Sequence, residues 1–401
     1  MSKSQEWIDR GLTHVAATYG RYPLVADCGD GCWLLDVDGK RYLDFLAGVA
    51  VNNLGHCHPK VVKAIQEQAG KLLHCSNFYH IPQQIELAEL LCTHSFGDRV
   101  FFCNSGVEAN EAAIKLARKY SYENHGKERN EVITAVASFH GRTLAGISAT
   151  GQDKVKEGFA PMLPGFKHVP FGDFEAMRAA VGPNTCAIML EPVQGEGGVN
   201  IPPAGYLQSI RELCDENNLL LIFDEVQVGC GRTGSLFAYQ QEGVEPDIMT
   251  LAKALAGGPP IGAMISREKH AGALGPGTHG STFGGNPLLA SAALAAMKVY
   301  LEDGVLENCR KTGDYLRAKL EELQEKYDFV VEVRGRGLII GMELNIAGGE
   351  MVKTALERGL LINCTVDKVL RFVPPLIIDT DEIDQMIEIL EGIFAEYQEK
   401  K

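Results

Sequence analysis

Between about residues 60 and 280, short continuous apolar runs alternate with longer stretches of helical periodicity. The runs cover residues 100–103, 132–137, 186–190, 219–223, 248–251 and 262–265. Unbroken apolarity is typical of strands that are covered on both faces. Helical stretches between such strands are typical of right-handed crossovers in a mainly parallel sheet. The pattern therefore predicts a large α/β domain, which we place at residues 59–288.

The N-terminal segment, residues 1–58, has a different pattern. A helical stretch comes first, and apolar runs at 32–37 and 41–45 then flank Asp38-Gly39. Because Asp-Gly suits a tight type I′ turn, the two runs predict a β-hairpin. We expect this segment to belong to a small domain with the C-terminal part of the chain.

The C-terminal segment, residues 289–401, predicts a small α+β domain. Two long helical patterns precede strand-like runs at 329–333 and 338–344. Asp379 and Glu382 resemble a capping box at the start of the last helix. The apolar positions of that helix fall on one face: 383, 386, 387, 390, 393, 394 and 397.

Composition and charge exclude several classes of protein. The formal charge of -14 argues against a nucleic-acid binder, and 45% apolar residues argue against a disordered chain. No apolar run approaches the roughly 20 residues of a membrane span. The first ten residues are charged and lack the apolar centre of a secretion signal. We therefore expect a cytoplasmic protein.

The eleven cysteines are scattered along the chain. Cys28 and Cys32 are close in sequence, and Cys57 lies between two histidines, but no second pair completes a zinc site. We expect no metal, and we interpret the cysteines as reduced thiols that act as small buried apolar residues.

Two polar residues end predicted strands and suggest chemistry. Lys253 ends the run 247–253, at the edge of the sheet where α/β proteins place ligand groups. A buried lysine has a lowered pKa and can form a Schiff base, although this segment alone favours an ordinary solvated lysine, because most lysines are exposed. Asp224 follows the run 219–223. It is either a loop cap or the partner of a cation such as the pyridinium nitrogen of pyridoxal phosphate.

Two further loops follow predicted strands. Ser105 and Gly106 precede a helix, and they either form a capping box with Glu108 or cradle a phosphate at the helix start. Phe139 is either a core residue or a ring that stacks on a cofactor. Arg142 is either a surface residue or a guanidinium that binds a substrate carboxylate through two hydrogen bonds.

Three more segments carry candidate residues. Glu191 and Glu196 lie in a glycine-rich loop, where they either cap turns or neutralise an arginine. Ser281 and Thr282 lie in another glycine-rich loop and either bind phosphate or make turns. Arg371 lies in an apolar context, where an unpaired charge is costly, so we expect a carboxylate partner.

These motifs occur in one order along the chain. They are Ser105-Gly106-x-Glu108, Phe139-His140-Gly141-Arg142, Glu191-Pro-x-Gln-Gly-Glu196, Asp224-Glu225-x-Gln227, Leu-Ala-Lys253, Ser281-Thr282-Phe-Gly-Gly-Asn-Pro and Leu370-Arg371. Together they resemble class III pyridoxal-phosphate-dependent aminotransferases over nearly the whole chain, from about Tyr19 into the last helix. The resemblance implies fold type I, in which the large domain has a mainly parallel seven-stranded sheet.

The resemblance also implies roles. Lys253 would hold pyridoxal phosphate covalently and move a proton, and Asp224 would pair with the ring nitrogen. The other cofactor-binding residues would be Ser105, Gly106 and Val107 at the phosphate, Phe139 and Val226 on the ring faces, Gln227 at the ring hydroxyl, and Glu225 in the same motif. Ser281 and Thr282 would reach the site of the other subunit, which implies a homodimer.

For the substrates, the resemblance implies that Arg371 binds an α-carboxylate and Arg142 a second carboxylate. Glu196 would pair with Arg371 when the other arginine, Arg142, binds the substrate. Near the N terminus, Tyr22 or Arg21 would shape substrate choice. The small-molecule partners would be an amino donor and 2-oxoglutarate or glutamate.

The reaction so implied is a ping-pong transfer of a terminal amino group. His140 favours the branch of the class that acts on N2-acetylornithine in arginine synthesis, because the ornithine branch tends to have Trp there. Succinylornithine, succinyldiaminopimelate, ornithine and GABA remain as alternative donors. Aminomutase or decarboxylase chemistry on the same fold is a further alternative, and a non-catalytic α/β binding protein is the most distant one.

Overall fold

The computed structural model describes residues 2–400. Its strands are β1 Ala26–Asp30, β2 Trp33–Asp36, β3 Arg41–Asp44, β4 Arg99–Cys103, β5 Glu131–Ala135, β6 Phe166–Val169, β7 Thr185–Leu190, β8 Leu220–Asp224, β9 Ile248–Leu251, β10 Gly262–Ser266, β11 Val330–Arg336, β12 Ile339–Leu344, β13 Leu360–Leu361, β14 Asn363–Thr365 and β15 Val369–Phe372.

The helices lie between these strands and at both ends. They are α1 Lys3–His14, α2 Ala47–Ala50, α3 Pro59–Ala69, α4 Pro82–Thr93, α5 Gly106–His125, α6 Leu144–Ala149, α7 Phe174–Ala180, α8 Tyr206–Asn217, α9 Tyr239–Glu242, α10 Glu268–Ala271, α11 Pro287–Glu302, α12 Val305–Lys326, α13 Gly349–Glu357 and α14 Thr380–Glu399. Short 3-10 turns lie at Asp153–Val155 and Lys253–Ala256.

The central sheet has seven strands in the order β4-β10-β9-β8-β7-β5-β6. Neighbours from β9 to β6 run parallel, whereas β10 is antiparallel to both β9 and β4. Strands β7 and β8 are buried along their whole length, as their unbroken apolarity predicts. The predicted α/β fold with a mainly parallel seven-stranded sheet is confirmed.

All six apolar runs lie on strands of this sheet, and the seventh strand, β6, does not have such a run. It forms one edge of the sheet, and only Val169 of its four residues is fully buried. An edge strand needs less apolar surface than a central one, so its sequence lacks the signal that marks the others.

A second sheet joins the two ends of the chain. The predicted hairpin is β2–β3, with Gly39 in the turn at φ 86°. Strand β13 pairs in parallel with β3, so that Leu360 lies opposite Leu43. The C-terminal part also forms an antiparallel sheet in the order β11-β12-β15-β14. The N-terminal hairpin is therefore bonded to the C-terminal segment.

The long helices begin where their capping residues predict. The Asp379 side chain accepts from the Glu382 amide at 2.8 Å, and the Glu382 carboxylate accepts from the Asp379 amide, which completes the capping box of α14. The side chain of Asn286 caps α11 by accepting from the Leu289 amide, with Pro287 in the first turn. Across residues 2–400, no helix is both long and apolar enough to cross a membrane.

Candidate active site

A cavity of about 420 Å³ opens where the loops after β4, β5, β7, β8 and β9 meet. The carboxyl ends of parallel strands share one edge of the sheet, which is where open α/β folds bind ligands. The cavity brings together most of the sequence-predicted residues: Ser105, Gly106, Val107, Phe139, Arg142, Glu191, Glu196, Asp224, Val226, Gln227 and Lys253.

Lys253 follows β9 and faces this cavity from a left-handed backbone conformation, with φ 45°. Burial lowers the pKa of its amine. The positive charge of Arg371 acts in the same direction, whereas Glu196 and Asp224 oppose the shift. An amine that is held closer to its neutral form can act as a nucleophile and as a base.

Asp224, the last residue of β8, is held by donors on both oxygens. Its Oδ2 accepts from the amide of Asn110 at 2.7 Å and lies 2.8 Å from Nδ1 of His140. Its Oδ1 accepts from the Val226 backbone at 3.0 Å. Asn110 is itself fixed, because its carbonyl accepts from the Thr250 hydroxyl at 2.7 Å. The carboxylate therefore faces the cavity in one orientation.

The start of α5 forms one wall of the cavity. Ser105 caps the helix by accepting from the Glu108 amide at 3.3 Å, as the capping prediction has it. A Cβ on Gly106 would lie 2.6 Å from Cγ1 of Val226, so only glycine lets the loop approach the strand-end residues this closely. Free amides at the start of a 20-residue helix favour an anion.

Arg371 lies in β15 and is 1% exposed. Its guanidinium donates to Glu196 Oε1 at 2.8 Å and to the Gln227 carbonyl at 3.2 Å. The Gln227 amide also donates to Glu196, at 3.0 Å. Burial opposes ionisation of Glu196, but the charges of Arg371 and Lys253 outweigh it and lower its pKa. The carboxylate partner predicted for Arg371 is thus present within the protein.

Arg142 lines the cavity and is not part of this pair. Its guanidinium lies 5.2 Å above the ring of Phe139, close enough for a cation–π contact. Glu191 accepts from the Phe139 backbone amide at 3.0 Å and so fixes this segment of the wall. Arg371 is thus paired with Glu196 behind the cavity wall and does not itself line the cavity, whereas Arg142 lines it and is available to a ligand.

Glu225 lies away from the cavity, although it is adjacent to Asp224. Its carboxylate accepts from the backbone amides of Ala238 and Tyr239 at 2.6 Å and 2.8 Å. Burial raises its pKa to about 7 against the effect of these two donors. Its oxygens are thus used in capping α9, and contact between Glu225 and the cofactor stays a prediction of the resemblance.

Ser281, Thr282, Tyr22 and Arg21 do not line the 420 Å³ cavity either. The first two line a separate surface cavity of about 770 Å³ beside the exposed ring of Phe78. Tyr22 and Arg21 both line a third, apolar cavity of about 290 Å³. Within one chain, these residues are not brought to Lys253.

Sequence reasoning did not assign a role to Asn110 or His140, which both bond Asp224. Asn110 is a buried polar residue on α5 beside Ala109 and Ala113. A polar side chain that interrupts an apolar helix face needs a buried partner, and that interruption is the signal that could have identified it.

Comparison with known families and structures agrees with this geometry. Residues 14–394 match the family Aminotransferase class-III. The acetylornithine aminotransferase of Methanocaldococcus jannaschii is 54% identical over 398 residues, covering 98% of this chain and 99% of that one.

Two solved structures are also similar. The ornithine aminotransferase of Toxoplasma gondii ME49 has a TM-score of 0.97 at 35% identity and covers 100% of this chain and 97% of that one. The N-acetylornithine aminotransferase of Stenotrophomonas maltophilia K279a has a TM-score of 0.85 at 37% identity, covering 98% and 100%. This chain belongs to the class III aminotransferases.

The chain is therefore a pyridoxal-phosphate-dependent aminotransferase, and the alternative of a non-catalytic binding protein is rejected. The cavity fits that cofactor by its donor set. It offers an amine for the aldehyde, a fixed carboxylate for the ring nitrogen and a helix start for the phosphate.

Proposed function

We propose that this protein is an acetylornithine aminotransferase. It transfers the terminal amino group of N2-acetyl-L-ornithine to 2-oxoglutarate, giving N-acetyl-L-glutamate 5-semialdehyde and L-glutamate, in arginine biosynthesis. The observation that carries the proposal is the placement of two arginines around one site: Arg142 lines the cavity and is available to a ligand, and Arg371 is bonded to Glu196, which lines the same cavity. The similarity to named acetylornithine aminotransferases at 49–54% identity supports the same donor.

We assign the binding of the cofactor to residues that line the cavity. Lys253 binds the aldehyde, Asp224 pairs with the ring nitrogen, and the amides from Ser105 to Val107 bind the phosphate. Phe139 and Val226 would hold the two faces of the ring, and Gln227 would bond its hydroxyl. This assignment is supported by the position of all these residues on one cavity.

The two substrates require a site with two charge states. N2-acetylornithine has one carboxylate, beside its acylated α-amine, whereas glutamate has two free carboxylates, one at each end of its carbon chain. In our proposal, Glu196 stays paired with Arg371 while acetylornithine is bound. When glutamate binds, Glu196 separates from Arg371, and Arg371 then binds a carboxylate of glutamate. Arg142 binds the carboxylate of acetylornithine. The 2.8 Å bond between Arg371 and Glu196 is the first of these two states.

Lys253 moves the proton in each half-reaction. When bound, pyridoxal phosphate supplies the aldehyde that takes up the amino group and the ring that stores the electrons of the broken bond. The lysine amine, whose pKa burial lowers, would take the proton from the amino-bearing carbon of the substrate and return it within the same site. Asp224 would hold the proton on the ring nitrogen.

We further propose a homodimer in which Ser281 and Thr282 complete the site of the partner subunit. The exposed Phe78 and Phe283 beside them, 93% and 58% exposed, support an interface at this surface. We also propose that the enzyme is cytoplasmic, since all eleven cysteines are free thiols.

A panel of amines tests the donor. Stopped-flow half-reactions with acetylornithine, succinylornithine, succinyldiaminopimelate, ornithine and GABA measure how fast each converts the bound cofactor. We expect acetylornithine to be fastest, with 2-oxoglutarate restoring the starting spectrum. The Lys253→Ala variant is the control and should lose the visible absorbance and the turnover. A faster reaction with another amine would replace the donor but leave the aminotransferase class intact.

Ornithine is the second candidate donor, because the solved structure with the TM-score of 0.97 is an ornithine aminotransferase. Ornithine has a free α-amino group where acetylornithine has a neutral amide. The same panel separates the two, since ornithine aminotransferase activity would give the ornithine half-reaction the higher rate.

Mixed dimers test the shared site. A Lys253→Ala chain lacks the amine, and a Thr282→Tyr chain blocks the phosphate position of its partner. Mixing the two variants should restore activity, because one of the two sites then has an intact lysine and an intact partner threonine. Failure to recover activity, with subunit exchange verified by mass spectrometry, would contradict the shared site.

A further inference from the structure

Glu191 is a buried acid on the cavity wall, and it has no cationic partner among residues 2–400. It is 6% exposed and lines the cavity. Its Oε2 accepts from the Phe139 backbone amide at 3.0 Å, and no other hydrogen bond or ion pair joins its carboxyl group to residues 2–400. The other oxygen therefore faces the cavity without a protein donor.

Two other carboxylates lie on the same cavity, and each has strong partners. Asp224 has three donors, from Asn110, His140 and the Val226 backbone. Glu196 has the guanidinium of Arg371 at 2.8 Å. A buried carboxylate with one neutral donor is much less stabilised than either of these.

We infer that Glu191 is an uncharged carboxylic acid in the working enzyme, and that it positions residues 139–142 without placing a third negative charge beside Lys253. Burial and the negative charge of Asp224 and Glu196 both act in this direction, raising the pKa of Glu191, and the backbone amide of Phe139 and the charge of Lys253 oppose them.

A neutral Glu191 avoids electrostatic repulsion between the cavity wall and a substrate carboxylate. The wall carries Phe139 and Arg142, which face ligands with negative charge. A carboxylate anion in that wall would repel a substrate carboxylate and compete for Arg142. A neutral acid still accepts the Phe139 N–H bond, and its own O–H donates into the cavity. This inference rests on the aminotransferase class and does not depend on which amine is the donor.

The test compares charge removal at two acids that face the same amine. Glu191→Gln keeps the shape and is permanently neutral, and Glu196→Gln is the matched control at a carboxylate that we describe as charged. In each holoenzyme, the pH dependence of the visible absorbance gives the pKa of the group at Lys253. We expect Glu196→Gln to lower that pKa by about one unit or more, because a negative charge is lost. Glu191→Gln should leave it at the wild-type value.

Difference infrared spectra of wild type against Glu191→Gln give an independent measurement. A neutral Glu191 predicts that a protonated-carboxyl carbonyl band is lost in the variant. Loss of carboxylate bands instead, or a fall of the visible pKa as large as that in Glu196→Gln, would overturn the inference.

Glu191→Met tests the positioning role separately. Methionine is also neutral and of similar length, but it cannot accept from Phe139. We expect the visible pKa to stay unchanged while kcat falls by about tenfold, the effect of one lost buried hydrogen bond. Glu191→Gln, which keeps the acceptor, should restore most of kcat. Equal kcat in the two variants would contradict the positioning role. If the amine panel shows that acetylornithine is not the donor, the results for Glu191→Gln and Glu191→Met remain valid, because neither depends on the identity of the donor.

Discussion

Nδ1 of His140 lies 2.8 Å from Oδ2 of Asp224, an oxygen that also accepts from Asn110 at 2.7 Å. The ring of His140 is 1% exposed, and within residues 2–400 its other nitrogen has no partner. Among the described residues, the bond to Asp224 is therefore the one hydrogen bond that the His140 ring forms. Two fixed donors on one oxygen leave the carboxylate a single orientation toward the cavity.

The first prediction concerns this bond. His140→Phe keeps a buried ring but removes the donor to Asp224, and a hydrogen bond to a charged group contributes about 1.5–3 kcal/mol. We expect the dissociation constant of pyridoxal phosphate to rise by about tenfold or more, measured by titrating the apoenzyme and following visible absorbance.

His270 provides the matched control. It is also buried and lies 3.1 Å from a carboxylate, that of Asp247, but it is outside the cavity. His270→Phe should lower the free energy of unfolding and leave cofactor affinity at the wild-type value. Equal losses of affinity in both variants would mean that His140 acts only through stability.

The second prediction concerns the pair of Arg371 and Glu196. Arg371 must leave Glu196 before it can bind a substrate carboxylate, so Glu196→Ala removes the competitor. We expect KM for 2-oxoglutarate to fall by roughly tenfold, equivalent to about 1.4 kcal/mol. The acetylornithine half-reaction should slow, because the unpaired Arg371 then competes with Arg142 for the single carboxylate of acetylornithine. An unchanged ratio of the two half-reaction rates would contradict the switch.

The positions of two site residues were predictable because the carboxyl ends of parallel strands lie together. Lys253 and Asp224 both follow apolar strands, and the carboxyl ends of parallel strands lie at one edge of the sheet. Glu225, which only the resemblance assigned to the cofactor, shows the limit of this reasoning. Successive side chains at a strand end point to opposite faces, and Glu225 accordingly bonds the backbone of Ala238 and Tyr239.

Other features depend on contacts distant in sequence. The bond between Asn110 and Asp224 spans 114 residues, and the bond between Arg371 and Glu196 spans 175. Periodicity shows that Asn110 is buried, but it does not show which polar group it meets. Ser281 and Thr282 belong to motifs, yet they lie outside the cavity of their own chain.

The third prediction concerns stability in acid. Asp247 accepts from Arg211 at 2.8 Å and from the Leu221 amide at 2.9 Å, and His270 lies at its other oxygen. Burial opposes ionisation, but these donors outweigh it and depress the pKa of Asp247. Asp247→Asn should lower the free energy of unfolding at pH 7 by about 3 kcal/mol, the cost of breaking a buried pair.

The sign of the pH dependence follows from the depressed pKa. The contribution of Asp247 is complete above the unfolded value of about 3.9 and is lost as pH falls through the lower folded value. Urea unfolding should therefore give a constant difference from pH 7 to about pH 5 and a smaller one below about pH 4. Asp314→Asn, at an exposed pair, is the control and should change stability little. A difference that grows in acid would contradict the assignment.

The fourth prediction concerns Arg232, which is completely buried and forms no ion pair among the described residues. It donates to the carbonyls of Leu338 and Pro374 at 2.8 Å and 2.6 Å and to the side chain of Asn53. Burial lowers its pKa to about 10. One guanidinium thus ties the loop after β8 to both ends of the chain.

Arg232→Met keeps the apolar bulk but leaves three buried acceptors without a donor. At about 1–3 kcal/mol for each unsatisfied group, the free energy of unfolding should fall by roughly 3 kcal/mol or more. Denaturant unfolding followed by far-ultraviolet circular dichroism measures the loss, with Arg178→Met at an exposed pair as control. A variant as stable as the wild type would show that removing the buried charge offsets the lost bonds.

The fifth prediction concerns Gly106 and Val226. A Cβ on Gly106 would lie 2.6 Å from Cγ1 and 2.9 Å from Cγ2 of Val226, so the valine must move toward the position that we assign to the cofactor ring. Overpacking of this kind costs about 1–3 kcal/mol, and we expect Gly106→Ala to weaken pyridoxal phosphate binding by roughly tenfold. The free energy of unfolding of the apoenzyme should fall less, because alanine is the better helix former at the start of α5. Gly106→Ala with Val226→Ala removes the clash and should regain affinity relative to Gly106→Ala, with Val226→Ala alone as the reference. If the double variant binds no better than Gly106→Ala, the loss arises from the phosphate loop itself and not from contact with Val226.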